Sequence, residues 1–94
     1  MPNIVVEGFS YKQISASANC AARSCIGGGI FVSAASATPT ITVYDSATTT
    51  TTTKVIDTFT PIAGTYYALP AAFVSGCYVV ISGTVSCTVY TAAS

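Results

Sequence analysis

Charge is the property this sequence has least of. Only 6% of its 94 residues are Asp, Glu, Lys or Arg, against about 25% in an ordinary soluble domain. The six charged residues are Glu7, Lys12, Arg23, Asp45, Lys54 and Asp57, and they sum to zero, so a net field cannot steer a partner. Three basic residues without a cluster give no electrostatic footprint for nucleic acid, and no nucleic-acid contact is expected. Histidine is absent, which removes the commonest general base and metal ligand. Three carboxylates remain, at positions 7, 45 and 57, and a catalytic pair would need the fold to bring two of them together. Their spacing does not suggest it. The sequence is therefore expected to be neither an enzyme nor a metal or cofactor protein.

Long apolar runs are missing too. No stretch approaches the ~20 residues of a membrane-spanning helix; candidates such as Tyr78 to Ile81 are the size of a strand, and no membrane association is expected. The opening Met-Pro-Asn-Ile-Val-Val-Glu-Gly-Phe has neither a basic n-region nor an apolar h-region, so secretory export is not expected. Helical periodicity is absent as well.

What the sequence does have is strand composition. Thr, Val, Ile, Tyr and Phe recur in short runs broken by Gly, Pro, Ser and Asp, which predicts strands over 30–34, 40–44, 54–60, 65–70, 76–82 and 84–91, with another near 10–16. Six or seven short strands in one domain predict an all-β fold, a small antiparallel β-sandwich or jelly-roll-like barrel. In Thr40-Ile41-Thr42-Val43-Tyr44, Ile41 and Val43 share one face. The orientation of Lys54 to Phe59 is undecided, because Val55 and Phe59 share a face with Asp57 while Ile56 points the other way. Six consecutive threonines, Thr48 to Thr53, are too uniform to set a register and read as a mobile or edge-exposed loop. Pro61 to Gly64 reads as a turn. Glycines 27 to 29 permit close backbone approach or a bulge before Ile30; they lack the Lys-Ser/Thr ending and following helix of a phosphate loop. Residues 1–24 are poorly patterned and read as an N-terminal arm or a weak first strand, with residues 25–94 as the sandwich domain.

The four cysteines, Cys20, Cys25, Cys77 and Cys87, lack zinc-site spacing. A three-residue loop Ile81-Ser82-Gly83, with Gly83 left-handed, places Val80 opposite Thr84 and hence Cys77 opposite Cys87 across a hairpin. The two are then facing thiols or a disulfide. The competing reading is four reduced, buried thiols in a reducing cytosol, and a particle released from a cell permits both states in turn. Tyr66 and Tyr67 point to opposite faces of a regular strand and cannot form one stacking platform. Phe9, Tyr11 and Tyr66 are the aromatics expected at an interface.

The segments Gly28-Gly29-Ile30-Phe31-Val32, Thr40 to Asp45, Phe59-Thr60-Pro61, Gly64 to Pro70 and Gly83 to Tyr90 resemble small β-sandwich proteins encoded among phage head genes. Those proteins are capsid decoration, cement or head-stabilisation proteins. The resemblance covers about sixty residues of strand-and-turn pattern and leaves out the first 24. It implies a structural virion protein, assembled in the host cytoplasm, with the major capsid protein or another shell protein as partner and contacts between its own copies. Low charge points the same way, since a surface without mixed charge has little protection against association; the alternative is a monomer made polar by Thr and Ser alone. Two other functions fit the composition: a tail- or fibre-associated module recognising a surface glycan, and a cell-surface fibre subunit.

Overall fold

A computed structural model of the protein describes residues 9–36 and 38–93. The described residues form nine strands: β1 (Phe9–Ile14), β2 (Ala18–Ala21), β3 (Cys25–Ala35), β4 (Thr40–Asp45), β5 (Lys54–Phe59), β6 (Thr65–Ala68), β7 (Ala72–Phe73), β8 (Cys77–Ser82) and β9 (Val85–Ala93). They make two antiparallel sheets, one ordered β1-β9-β3-β6 with β7 also on β3, the other ordered β2-β8-β4-β5. The fold is an all-β sandwich, as the strand composition predicts. Residues 1–8 of the expected N-terminal arm lie outside the described residues. Within 9–24 the chain forms two edge strands, β1 on β9 and β2 on β8, in line with the strand alternative of that reading.

Alternation builds the core between the sheets. Ile30 and Val32 of β3, Ile41 and Val43 of β4, Cys77 and Val79 of β8, and Val85, Cys87 and Val89 of β9 are all essentially sealed from water, with Leu69 and Phe73 filling the end beside β7. Each buried aliphatic side chain of this size contributes about 1.5–3 kcal/mol relative to exposure, which is what fixes the inward face of each strand. Ile41 and Val43 share that face as expected.

The strand from Lys54 to Phe59 resolves through irregular pairing. Ile41 pairs with Phe59 and Val43 with Ile56, so two steps on β4 match three on β5. The extra residue is a bulge, and it turns Ile56 and Phe59 to the same side despite their odd spacing. Both then reach the core, where Phe59 packs on Tyr67 at 4.9 Å between ring centroids.

The loop from β4 to β5 is exposed along Thr48 to Thr53 and leads to the edge strand β5, in keeping with the edge-exposed reading. Its stem is tied down. Ser46 Oγ accepts from the backbone N–H groups of Thr48 and Thr50 at 3.0 and 3.1 Å, and Asn19 Nδ2 donates to the carbonyls of Ser46 and Thr48.

Asp45 anchors the opposite loop. Its carboxylate accepts from the backbone N–H groups of Val74 (3.0 Å), Ser75 (2.8 Å) and Gly76 (3.3 Å). Those donors, Val74 first, hold its carboxyl below the ordinary aspartate range. A depressed folded value contributes stability that is present above the unfolded pKa of about 3.9 and is lost as pH falls through the lower folded value. We therefore expect Asp45→Asn to lower stability at neutral pH by about 1.5 kcal/mol, the low end for charged hydrogen bonds because the group stays partly wet. The variant should also flatten the acid limb of stability, measured by urea unfolding across a pH series. Unchanged stability with an unchanged acid limb would show that the loop does not depend on this carboxylate.

Candidate contact face and thiol cluster

The five-stranded sheet has one face in the core and one outside. Register decides which residues share the outer one. Phe9 pairs with Ala92 and Tyr11 with Tyr90 on one side of β9, while Ile26 pairs with Ala92 and Phe31 with Thr88 on the other. Phe31 in turn pairs with Tyr66. The expected interface aromatics are thus on one face, with Phe9 48%, Tyr11 75% and Tyr66 54% exposed. Ile26, Phe31 and Tyr90 complete it, and the sequence reading omitted all three. Their signal was alternation: Phe31 lies between the inward Ile30 and Val32, and Tyr90 between the inward Val89 and Thr91. Large apolar residues at outward positions of neighbouring strands together make a contiguous exposed apolar patch.

Glycines shape this face. The pairing shifts register between Gly27 and Gly29, the bulge expected before Ile30. The bared backbone is covered by rings from either side. A Cβ on Gly28 would stand 2.7 Å from Phe9 Cε1, and one on Gly29 would overlap the Tyr66 ring. Tyr66 Oη donates to the Gly28 carbonyl at 2.7 Å, which fixes the ring across the strand. Phe9, Gly28, Phe31, Tyr66 and Tyr90 line a shallow groove of about 400 Å³. Among the described residues, none that lines the groove carries a charge.

Tyr67 behaves differently from its neighbour, as period-2 geometry requires. It pairs with the inward Ile30, and its hydroxyl accepts from the Ile62 backbone N–H at 2.9 Å. It is a core and turn residue.

The cysteine pairing expected from the sequence is corrected by the topology. Cys77 lies on β8, where it pairs with Ala21 and Asp45, and Cys87 lies on β9, where it pairs with Ile14 and Val32. These strands belong to different sheets, so the two residues are not hairpin partners. The expected turn glycine is real: Gly83 has φ of 87°. Its turn, however, carries the chain across the sandwich rather than back along one sheet.

The four thiols are nevertheless near one another. The pairing of β2 with β8 shifts register between Asn19 and Ala21, which makes Cys20 the extra residue opposite Cys77. Hydrogen bonding from the Cys77 thiol lowers the Cys20 pKa, helped by Lys12 and opposed by partial burial. The same contact, with burial, holds the Cys77 proton in place well above the ordinary thiol range. Burial also raises Cys25, and pushes Cys87 up to about 11. Among the described residues, no group of three or more Cys, Asp or Glu side chains is disposed to hold a metal ion. No family model, curated protein or solved structure matches this chain.

Proposed function

We propose that this protein is a structural assembly subunit that binds another protein through the outer face of its five-stranded sheet. The observation that carries the proposal is the uncharged aromatic face built from Phe9, Tyr11, Ile26, Phe31, Tyr66 and Tyr90. Exposed aromatics dominate interface energetics because they bury much area at low entropic cost. A partner for this face is expected to be apolar and uncharged where it docks, since the described residues of the face offer it no charge to pair with. The particular form we propose is capsid decoration: copies seated on a virion shell protein and touching their own neighbours. That step rests on the resemblance of the strand-and-turn segments to phage head proteins.

A mass-spectrometric inventory of purified particles tests the virion role. Many copies per particle support decoration; few copies indicate a tail component, and absence from particles rejects the virion role. The contact face has its own test. Tyr11→Glu places a charge at the most exposed ring of the face without touching the core. It should weaken shell binding or self-association by at least about tenfold, the loss of one interface anchor, while the melting temperature stays unchanged. Equal binding by the variant and the parent, followed by sedimentation, would remove this face from the assembly.

The aromatic groove also favours a second reading, a glycan-binding module, because sugar rings stack on Phe and Tyr faces. Recognition of a sugar further needs polar groups placed for its hydroxyls, and the Tyr66 hydroxyl proton is already committed to Gly28. Binding to a glycan array that Tyr11→Glu leaves intact would favour this reading over assembly.

A further inference from the structure

The neighbourhood of Cys20 is where the fold brings reactive groups together without a structural need for them. Cys20 is partly exposed, whereas Cys77 is sealed in the core. The bulge on β2 sets both Cys20 and Ala21 against Cys77, and two residues that oppose one across a bulge put their side chains on the same side of the sheet as their partner. Adjacent strands of a sheet lie about 4.7–4.9 Å apart, and Cys20 packs against the same core cluster that contains Cys77, so the two thiols share the inner side of the β2–β8 pair. Cys20 also lines a groove of about 310 Å³ with Ser10, Arg23, Ser24 and Cys25, open at the β1 and β2 edges. Solvent therefore reaches one sulfur of the pair and not the other.

We propose that Cys20 and Cys77 form a redox pair, in which Cys20 is the attacking thiol and Cys77 the resolving one, and that a small anionic disulfide such as oxidised glutathione is the oxidant. The Cys20 thiolate attacks one sulfur of that disulfide, its S–S bond breaks, and one glutathione thiolate leaves. The glutathionylated Cys20 no longer holds the Cys77 proton by a thiolate hydrogen bond; Cys77 passes that proton to the glutathione thiolate already released, and the Cys77 thiolate displaces the second glutathione from Cys20. One protein disulfide forms and two thiols are oxidised, while one glutathione disulfide is reduced to two glutathione thiols. The geometry assigns the order of attack: only Cys20 is reachable from outside. Arg23 beside the groove and Lys12 near Cys20 suit the carboxylates of the oxidant and favour the Cys20 thiolate. The bond would tie edge strand β2 to the central strand β8. It does not depend on the proposed assembly role, since it concerns the chain alone.

The test starts from fully reduced, desalted protein treated with oxidised glutathione. Intact mass should fall by two hydrogens, and two of the four thiols should be lost. Cleavage after Arg23 separates Cys20 from Cys25, and cleavage after Tyr78 separates Cys77 from Cys87, so peptide mapping identifies the bond without ambiguity. We expect a Cys20–Cys77 linkage and a rise in melting temperature on the order of 10 °C, because the bond closes a long loop. Cys20→Ser, a change at a partly exposed site, should abolish the reaction. Cys77→Ala should stop it at a glutathione adduct on Cys20. Cys87→Ala should leave it intact. A lasting adduct on Cys20 in the unmutated protein, a Cys20–Cys25 linkage, or oxidation that survives Cys20→Ser would each overturn the proposal, and the first two need no variant to fold.

Discussion

Gly76→Ala should be among the most damaging single changes in this protein, lowering stability by about 3 kcal/mol or more. Overpacking a core usually costs about 1–3 kcal/mol because neighbouring side chains give way. Here nothing flexible stands in the way. A Cβ on Gly76 would overlap the Ala21 carbonyl oxygen and stand 2.6 Å from that of Ser46 and 3.0 Å from the Ala47 Cα. All three atoms are backbone, at the end of β2 and at the stem of the threonine loop. Gly76 is itself held in place, donating to Asp45 and accepting from the Ser46 N–H at 3.0 Å. Relief would require breaking one of these bonds or moving an edge strand. A domain of this length has a total stability of about 5–14 kcal/mol, so the variant is expected to melt far earlier or to fail to accumulate. Gly29→Ala provides the contrast, since its clash is with the Tyr66 ring, a side chain that can swing away at the cost of its one hydrogen bond to the Gly28 carbonyl. Comparable urea midpoints for the two variants would show that the loop at Gly76 yields more easily than its contacts imply.

The sequence made the inward residues legible but not the sheet each strand joins. Alternation fixed Ile41, Val43, Val85, Cys87 and Val89 because burying one face is worth far more than any local preference. The same alternation is silent about partners. Cys77 and Val79 point inward on β8, and Cys87 and Val89 point inward on β9. A hairpin in one sheet and a crossing between sheets both satisfy that pattern. The short Gly-containing turn favoured the hairpin, whereas β9 pairs with β3 and β8 with β4, long-range partners that local counting does not include. Bulges hid in the same way. Ile56 and Phe59 have the wrong spacing for one face of a regular strand, and only the pairing with Ile41 and Val43 shows the extra residue. The contact face was half legible: Phe9, Tyr11 and Tyr66 stood out as aromatics among polar neighbours, whereas Phe31 and Tyr90 were concealed in runs that read as core.

Gly83→Val should cost about 3 kcal/mol, with Ser82→Ala below about 0.5 kcal/mol. The backbone at Gly83 has φ of 87°. An L-residue there loses about 1–2 kcal/mol to the clash of its Cβ with the backbone, and a β-branched residue loses more. The crossing adds a second clash that a free hairpin would not have. The connection from β3 to β4 lies against this turn, with Ser36 N–H donating to the Thr84 carbonyl at 2.9 Å and a Gly83 Cβ placed 3.0 Å from Pro39 Cα. The two connections stack because β3 pairs with β9 and β4 with β8, so each crosses between the same two sheets. Gly64 separates the two causes. It has φ of 80° with open space around it, so Gly64→Val carries the backbone cost alone. If the stacked crossing is right, denaturant unfolding should find Gly83→Val more destabilising than Gly64→Val by about 1 kcal/mol or more, the cost of overpacking against Pro39. Equal losses at the two glycines would mean that Pro39 does not press on the turn, and the argument for stacked crossings would fall with it.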